Sequence, residues 1–199
     1  MHSEGGRTFH HLDFNPAYRV EIDPEFPSDG DWRCPVFGFG SDGQVQREVI
    51  SRWGAPLVVH VMPTFSPEWI GVFPAGGLGG ARGVFAGPAP TQMCAVVAGQ
   101  AYLVRVDVPG SDAVMAHDEV NQAVPVSGAS LLLLAGYTDI VAIGPDGVKW
   151  RTQRLAADGL RITEASADAI YCTIDALDGS LASIIVDPAS GKVRAGPLL

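Results

Sequence analysis

Leu131 to Ile162, LLLLAGYTDIVAIGPDGVKWRTQRLAADGLRI, is the stretch that most restricts what this chain can fold into. Leu131 to Leu134 and Ile140 to Ile143 are apolar runs too short for ordinary helices, and they read as buried strands. Between them and the next strand stands Gly144-Pro145-Asp146-Gly147. Its proline presets φ and its glycine tolerates positive φ, so the chain is expected to reverse there. It returns as Val148, Trp150 and Thr152 on one face, with Lys149, Arg151 and Gln153 on a wetted face. Asp158-Gly159 is read as the next turn, after which Leu160 and Ile162 resume the alternation. This is the pattern of an antiparallel meander.

The same grammar runs through the chain. Tyr18, Val20 and Ile22 alternate with Arg19 and Glu21, and Asp23-Pro24 ends that strand. Further strands are expected at Val36 to Phe39, Leu57 to Met62 and Trp69 to Phe73, and a hairpin joins Met93 to Val97 with Tyr102 to Val108. In the last third Ile170, Cys172 and Ile174 alternate, Asp178-Gly179 turns into Leu181 to Val186, and Asp187 to Gly191 turns again. Gln44 to Trp53 is the best helix candidate, since Val45, Val49, Ile50 and Trp53 fall at helical spacing between Asp42 and Gly54. Gly110 to Gln122 is polar and reads as a connecting loop.

The expected fold is therefore all-β, with antiparallel meander sheets forming a sandwich or partial propeller-like domain and at most one or two short helices. Residues 1–12 form a flexible N-terminus, and 13–199 form a single β-rich domain. A length of 199 residues is enough for one real core. Hydrophobic residues make up 47% and charged residues 18%, which excludes a disordered chain. The 24 glycines and 15 prolines are scattered, favouring many turns over long helices.

A net charge of −9 without a basic run argues against nucleic acid. No apolar run approaches the length of a membrane span, and MHSEGGRTFHHLDF lacks the form of a secretory signal. Cys34, Cys94 and Cys172 are odd in number and widely spaced, as reduced and mostly buried thiols are. Together these features imply a cytoplasmic protein.

No motif prescribes a chemistry. Gly76 to Gly83 is glycine-rich, but it has neither the spacing nor the strand-to-helix context of a phosphate loop. Arg82 is the one residue there suited to holding an anion. His10, His11 and Asp13, like His117, Asp118 and Glu119, invite a metal, yet adjacent side chains on an extended chain diverge. Asp29 and Asp31 lack the later carboxylates of a calcium loop. His60, inside an apolar strand, reads as a satisfied core or edge histidine. Ser127 or Cys94 with His117 and Asp118 has no nucleophile elbow around it. No catalytic residue, metal or cofactor is assigned. The binding candidates are Trp32, as an exposed anchor, together with Arg82, His117 and Asp118.

Two resemblances rest on particular motifs. Gly147-Val148-Lys149-Trp150, Asp158-Gly159-Leu160 and Val186 to Val193 resemble strand and turn patterns in blades of quinoprotein-type β-propellers. The order of Trp69 to Phe73, Val96 to Val104, Thr138-Asp139-Ile140 and the later motifs is similar to that of a set of small bacterial all-β proteins with no assigned activity. This likeness covers about residues 69–196. The strands countable in the sequence fall short of a closed propeller.

The functional expectation is a non-enzymatic cytoplasmic binding protein with a protein partner, in an immunity-like role against a basic toxin. The alternatives are a small-molecule hydrolase or ligand-binding enzyme, with its site in loops 74–90 and 109–123, and a structural oligomer subunit. The sequence leaves the oligomeric state open.

Overall fold

Two kinds of strand sequence sort the sheets before any pairing is considered. Runs apolar at every position, such as LLLLA, IVAIG and QMCAVV, suit sheets covered on both faces, whereas the alternating IYCTID suits a sheet covered on one. The computed structural model describes residues 8–77, 80–176 and 178–197, and this division governs its architecture.

In chain order the strands begin with β1 (Phe9–His10), β2 (Tyr18–Ile22), β3 (Val36–Phe39), β4 (Val45–Gln46), β5 (Leu57–Pro63) and β6 (Trp69–Phe73). They continue with β7 (Gly83–Ala86), β8 (Gln92–Val97), β9 (Gln100–Arg105), β10 (Val114–His117), β11 (Gln122–Val126) and β12 (Leu131–Ala135). The last are β13 (Ile140–Gly144), β14 (Gly147–Arg151), β15 (Asp158–Ala165), β16 (Ile170–Asp175), β17 (Leu181–Val186) and β18 (Val193–Ala195). One short 3-10 turn, Ser127–Ala129, is the helical element among the described residues, and no helix there is long and apolar enough to cross a membrane.

The strands form four sheets, ordered β2-β5-β6-β3-β4 (sheet I), β1-β7-β8-β9-β10 (sheet II), β11 to β14 (sheet III) and β15 to β18 (sheet IV). Sheets III and IV are simple meanders. The pairing is antiparallel except for β1 with β7 and β3 with β6. Three buried clusters lie between successive sheets. The first joins Trp69 and Phe73 of sheet I to Met93 and Tyr102 of sheet II. The second joins Cys94 and Leu103 of sheet II to Leu132 and Val141 of sheet III. The third joins Leu133 and Ile140 of sheet III to Ile162 and Cys172 of sheet IV. Sheets II and III are thus covered on both faces, which is why their inner strands β8, β12 and β13 are buried at every position. The protein is all-β, built as a stack of blade-like sheets.

Side chains bonded to a neighbouring sheet's backbone stitch the stack together. Trp69 Nε1 donates to the Val106 carbonyl at 3.1 Å, joining sheet I to the end of β9. From sheet II, Gln92 Nε2 donates to the carbonyls of Gly144 and Pro145 at 3.0 and 2.9 Å. Between sheets III and IV, Gln122 bonds both the N–H and the carbonyl of Ile162, and Trp150 Nε1 donates to the Pro188 carbonyl at 2.9 Å. Each such bond satisfies a backbone group at a place where two sheets exclude water.

Several local expectations need correction. Gln44 to Trp53 is not a helix. Val45 and Gln46 form an edge strand, and Asp42 accepts the Gln44 N–H in a turn instead of capping a helix. The apolar residues at helical spacing serve different surfaces: Val45 enters the core, Val49 covers Gly38, and Ile50 and Trp53 face solvent. Gly110 to Gln122 contains the strand β10, and the strand expected to reach Val108 stops at Arg105. Val148 and Trp150 do not share a face. Val148 pairs with Ile143 and Trp150 with Ala142, so Lys149 is left as a bulge that reverses the alternation. Trp150 is half-buried rather than enclosed. Asp158-Gly159 lies within β15, at a second register shift, with Gly159 at φ +69. The sequence also undercounts strands, since β1, β4 and β18 are only two or three residues long.

The expected Ala98-Gly99 hairpin is present, with both turn residues at positive φ, the geometry whose twist matches the flanking strands. Phe9–His10, within the stretch expected to be loose, adds to sheet II, and residues 1–7 of that stretch lie outside the described residues. So do residues 78 and 79 of the glycine-rich loop.

Candidate functional site

The segment between β4 and β5 crosses the edge of sheet I and is fixed at several points. Ser51 Oγ donates to the Gly54 carbonyl at 2.6 Å and accepts the Ala75 N–H at 3.0 Å. Arg82 donates to the carbonyls of Ala55 and Pro56 and stands 3.7 Å from Asp23. Between these fixings the Trp53 indole lies over Gly77, where a Cβ would come within 3.2 Å of the ring. Trp53 is 69% exposed and Ile50 is 66% exposed. A hollow of about 360 Å³ runs beside them, walled also by Gln46, Pro74 and Arg52.

A second hollow, of about 450 Å³, adjoins the first. The two share Ser41 and Gln100 as a common wall, closed by a 2.6 Å bond from Gln100 Nε2 to the Ser41 carbonyl. Its own lining is Asp42, Met115, His117, Asp118 and Arg151. The Asp118 side chain is 80% exposed, and Asp42 is exposed beside the turn it closes. The two hollows adjoin as one groove, with Ile50, Trp53 and Pro74 set among polar walls at one end and the carboxylates of Asp42 and Asp118 at the other.

His117 ends β10, and its side chain is only 1% exposed. Its Nδ1 accepts the N–H groups of both Asp118 and Glu119, at 3.0 and 3.1 Å. That fixes the ring proton on Nε2 in the neutral form. Nε2 stands 3.3 Å from Asp139 Oδ1, off the line of a full hydrogen bond. Asp139 continues to Arg151 at 3.2 Å, and Arg151 donates to the Ala116 carbonyl at 2.6 Å. Burial, the largest single influence on Asp139, pushes its carboxyl up, but the His117 ring and the Arg151 guanidinium outweigh it and hold the group below its ordinary value. Gly136 makes room for this cluster, since a Cβ there would lie 2.6 Å from His117 Cε1. A general base needs an open lone pair. The Nδ1 pair is occupied by two backbone donors, so the cluster ties β10 to sheet III instead of offering a base.

The candidates from sequence are therefore dispersed. His117 and Asp118 lie in the groove wall, one as a buried bracket and the other as an exposed acid. Arg82 spends its donors on the segment that carries Trp53. Trp32 is half-buried in the loop before β3, edge-on to Phe26 at 5.4 Å, beside the Asp29–Arg33 pair. His10 stacks on Phe85 and His11 tilts against Phe9, so the adjacent histidines diverge. His60 lies 3.2 Å from Glu68 on the outer face of sheet I. Sequence reasoning missed Trp53 as an exposed residue, and Asp139 and Arg151 as partners of His117. For Trp53 no local signal stood against the helix, since Gly54 after it and Pro56 beyond are themselves marks of a helix end.

Fold and groove together define an all-β protein of four stacked sheets, two of them simple meanders, with an aromatic-rimmed, acidic-ended cleft. No family model matches the chain, and no curated protein matches it. Among solved structures, the crystal structure of the N-terminal domain of Nup159 is similar over 98% of this chain and 55% of that one, at 12% identity and a TM-score of 0.40. The chain spans about half the length of that structure.

Proposed function

We propose that this chain is a non-enzymatic binding domain that takes a protein partner in the groove beside Trp53. The observation that carries this reading is the pairing of a 69% exposed Trp53 with a 66% exposed Ile50 over a hollow, on a segment fixed by Ser51 and Arg82. A large exposed aromatic on a backbone segment that is already fixed is the type of residue that anchors protein interfaces. The net charge of −9 supports a basic partner, in keeping with an immunity-like role. The hydrolase alternative relies on His117 as its base, and the Nδ1 lone pair it would need is taken by the N–H groups of Asp118 and Glu119, which weighs against that alternative. Three free thiols suit a reducing compartment, and with the resemblance to small bacterial proteins they favour the bacterial cytoplasm.

The test is quantitative capture from native lysate on immobilised wild-type protein and on the Trp53→Ser variant, at low and high salt. At least one protein is expected to be retained by the wild type, lost with Trp53→Ser, and weakened by salt. Identical captured sets on the two proteins would remove Trp53 as the anchor and with it this reading.

A further inference from the structure

The two hollows differ in chemistry in a way that specifies what should lie across them. The Trp53 hollow offers apolar surface from Ile50, Trp53 and Pro74, and carries Arg52. The adjoining hollow presents the carboxylates of Asp42 and Asp118, while its one cation, Arg151, is already paired with Asp139. A ligand cation is thus repelled at the first hollow and attracted at the second. The wall between them is a single residue pair, Ser41 and Gln100. In an extended chain, side chains two residues apart project to the same side about 6.6 Å from each other, while the intervening one points away.

We infer that the groove recognises an extended protein segment in which an apolar side chain, seated against Trp53, stands two residues from a lysine or arginine seated between Asp42 and Asp118. This rests on the reading of the groove as a protein docking site, and adds the chemistry of the occupant. The acidic end supplies discrimination and the indole supplies the anchor, because exposed ion pairs contribute little each while a desolvated aromatic contributes much.

The probes are capped, fluorescein-labelled octapeptides in a Gly-Ser frame, carrying Leu two residues before or after Arg. Companion peptides replace the Arg by Ser or Glu, or the Leu by Ser. Binding is read by fluorescence anisotropy at low and high salt. In one of its two orders the Leu–Arg peptide should bind tightest. The Asp42→Asn, Asp118→Asn double variant should weaken it by about five- to tenfold, the size that two exposed ion pairs supply, and leave the Leu–Ser peptide unchanged. In place of the Asp42 carboxylate, the asparagine carbonyl oxygen can still accept the Gln44 N–H, so this variant keeps the turn. Trp53→Ser should weaken every Leu-containing peptide by more than about tenfold. The inference is overturned if the Leu–Glu peptide binds as well as Leu–Arg, if the double variant leaves Leu–Arg binding unchanged, or if no peptide binds. Retention of Trp53-dependent capture from lysate in any of those cases would sink the chemistry alone. Loss of that dependence as well would sink the docking site with it.

Discussion

Substituting Gly136 by Ala isolates the packing around His117. The residue has no positive φ, so the backbone accepts alanine and the whole effect is steric. The added Cβ would lie 2.6 Å from His117 Cε1 and 2.8 Å from Nε2, inside any real contact distance. The ring cannot swing aside freely, because its Nδ1 holds the Asp118 and Glu119 N–H groups and its side chain is 1% exposed. Overpacking of this kind costs about 1 to 3 kcal/mol, and displacing the ring enough to weaken its hydrogen bonds adds about 1 kcal/mol. Loss of glycine's freedom in the unfolded chain returns about 0.4 to 1 kcal/mol. The net expectation is a destabilisation of about 1 to 3.5 kcal/mol, or roughly 2 to 14 °C in Tm for a chain of this size. Equilibrium urea unfolding measures it as a lower midpoint at unchanged slope.

The decisive arm repeats Gly136→Ala in a His117→Ala background, where the space taken by the ring is open. There the same methyl should cost less than about 0.5 kcal/mol, giving a coupling energy near 2 kcal/mol between two residues in contact. An equal cost in both backgrounds, or a negligible cost in the wild type, would refute the account of Gly136 as the seat of the ring.

Three further outcomes are expected. Trp69→Ala, which empties a fully enclosed site and orphans the Val106 carbonyl, should cost about 3 to 5 kcal/mol, whereas half-buried Trp150→Ala should cost about 1.5 to 3 kcal/mol by the same unfolding assay; equal values would contradict the assigned burial. Asp139 has its folded pKa below its unfolded value near 3.9, so its contribution is fully present above that pH and fades as the pH falls through the folded value. The stability gap between wild type and Asp139→Asn should therefore be largest near neutral pH and close on acidification, and an undiminished gap at about pH 3 would exclude the ionised pair as its source. Burial pushes the Cys94 and Cys172 thiols up to about 12, while Cys34, raised by partial burial and then by Glu68 and Asp31, stays accessible. A thiol reagent at mildly alkaline pH should label Cys34 alone in the folded protein, and a second thiol labelled at the same rate would count against the enclosed positions of the other two.

Much of the C-terminal half was legible because its signals are local. Turn chemistry at Gly144 to Gly147, Asp178-Gly179 and Asp187 to Gly191 bounds strands whose burial follows their own alternation. Where alternation misled, a register shift was the cause. The bulge at Lys149 depends on how β13 and β14 pair, which no single strand encodes. Strand β10 was hidden because its four residues stand between polar flanks, and it is held by β9 alone. The site was half legible for a similar reason. His117 was singled out beside Asp118 and Glu119, yet those neighbours bond it through their backbone N–H groups, and the carboxylate that faces its Nε2 is Asp139. Arg151 was assigned to a wetted face, and its engagement with Asp139 and Ala116 requires two sheets to be side by side. Trp53 was read as part of a helix because its spacing from Val45 and Val49 fits one, although the three residues meet different surroundings.

The stitching between sheets has a consequence for how such a chain can change over time. Trp69, Gln92, Gln122 and Trp150 all bond to backbone groups across a seam, never to a particular side chain. A donor at a seam is thus tied to its chemistry, while the receiving residue is free to vary, as the recipients Val106, Gly144, Ile162 and Pro188 already do. Each such bond constrains one position, where a side-chain pair such as His117 with Asp139 constrains two. Sheets built this way can drift apart in sequence while remaining alike in form, so a stack of repeated architecture need not carry a readable repeat.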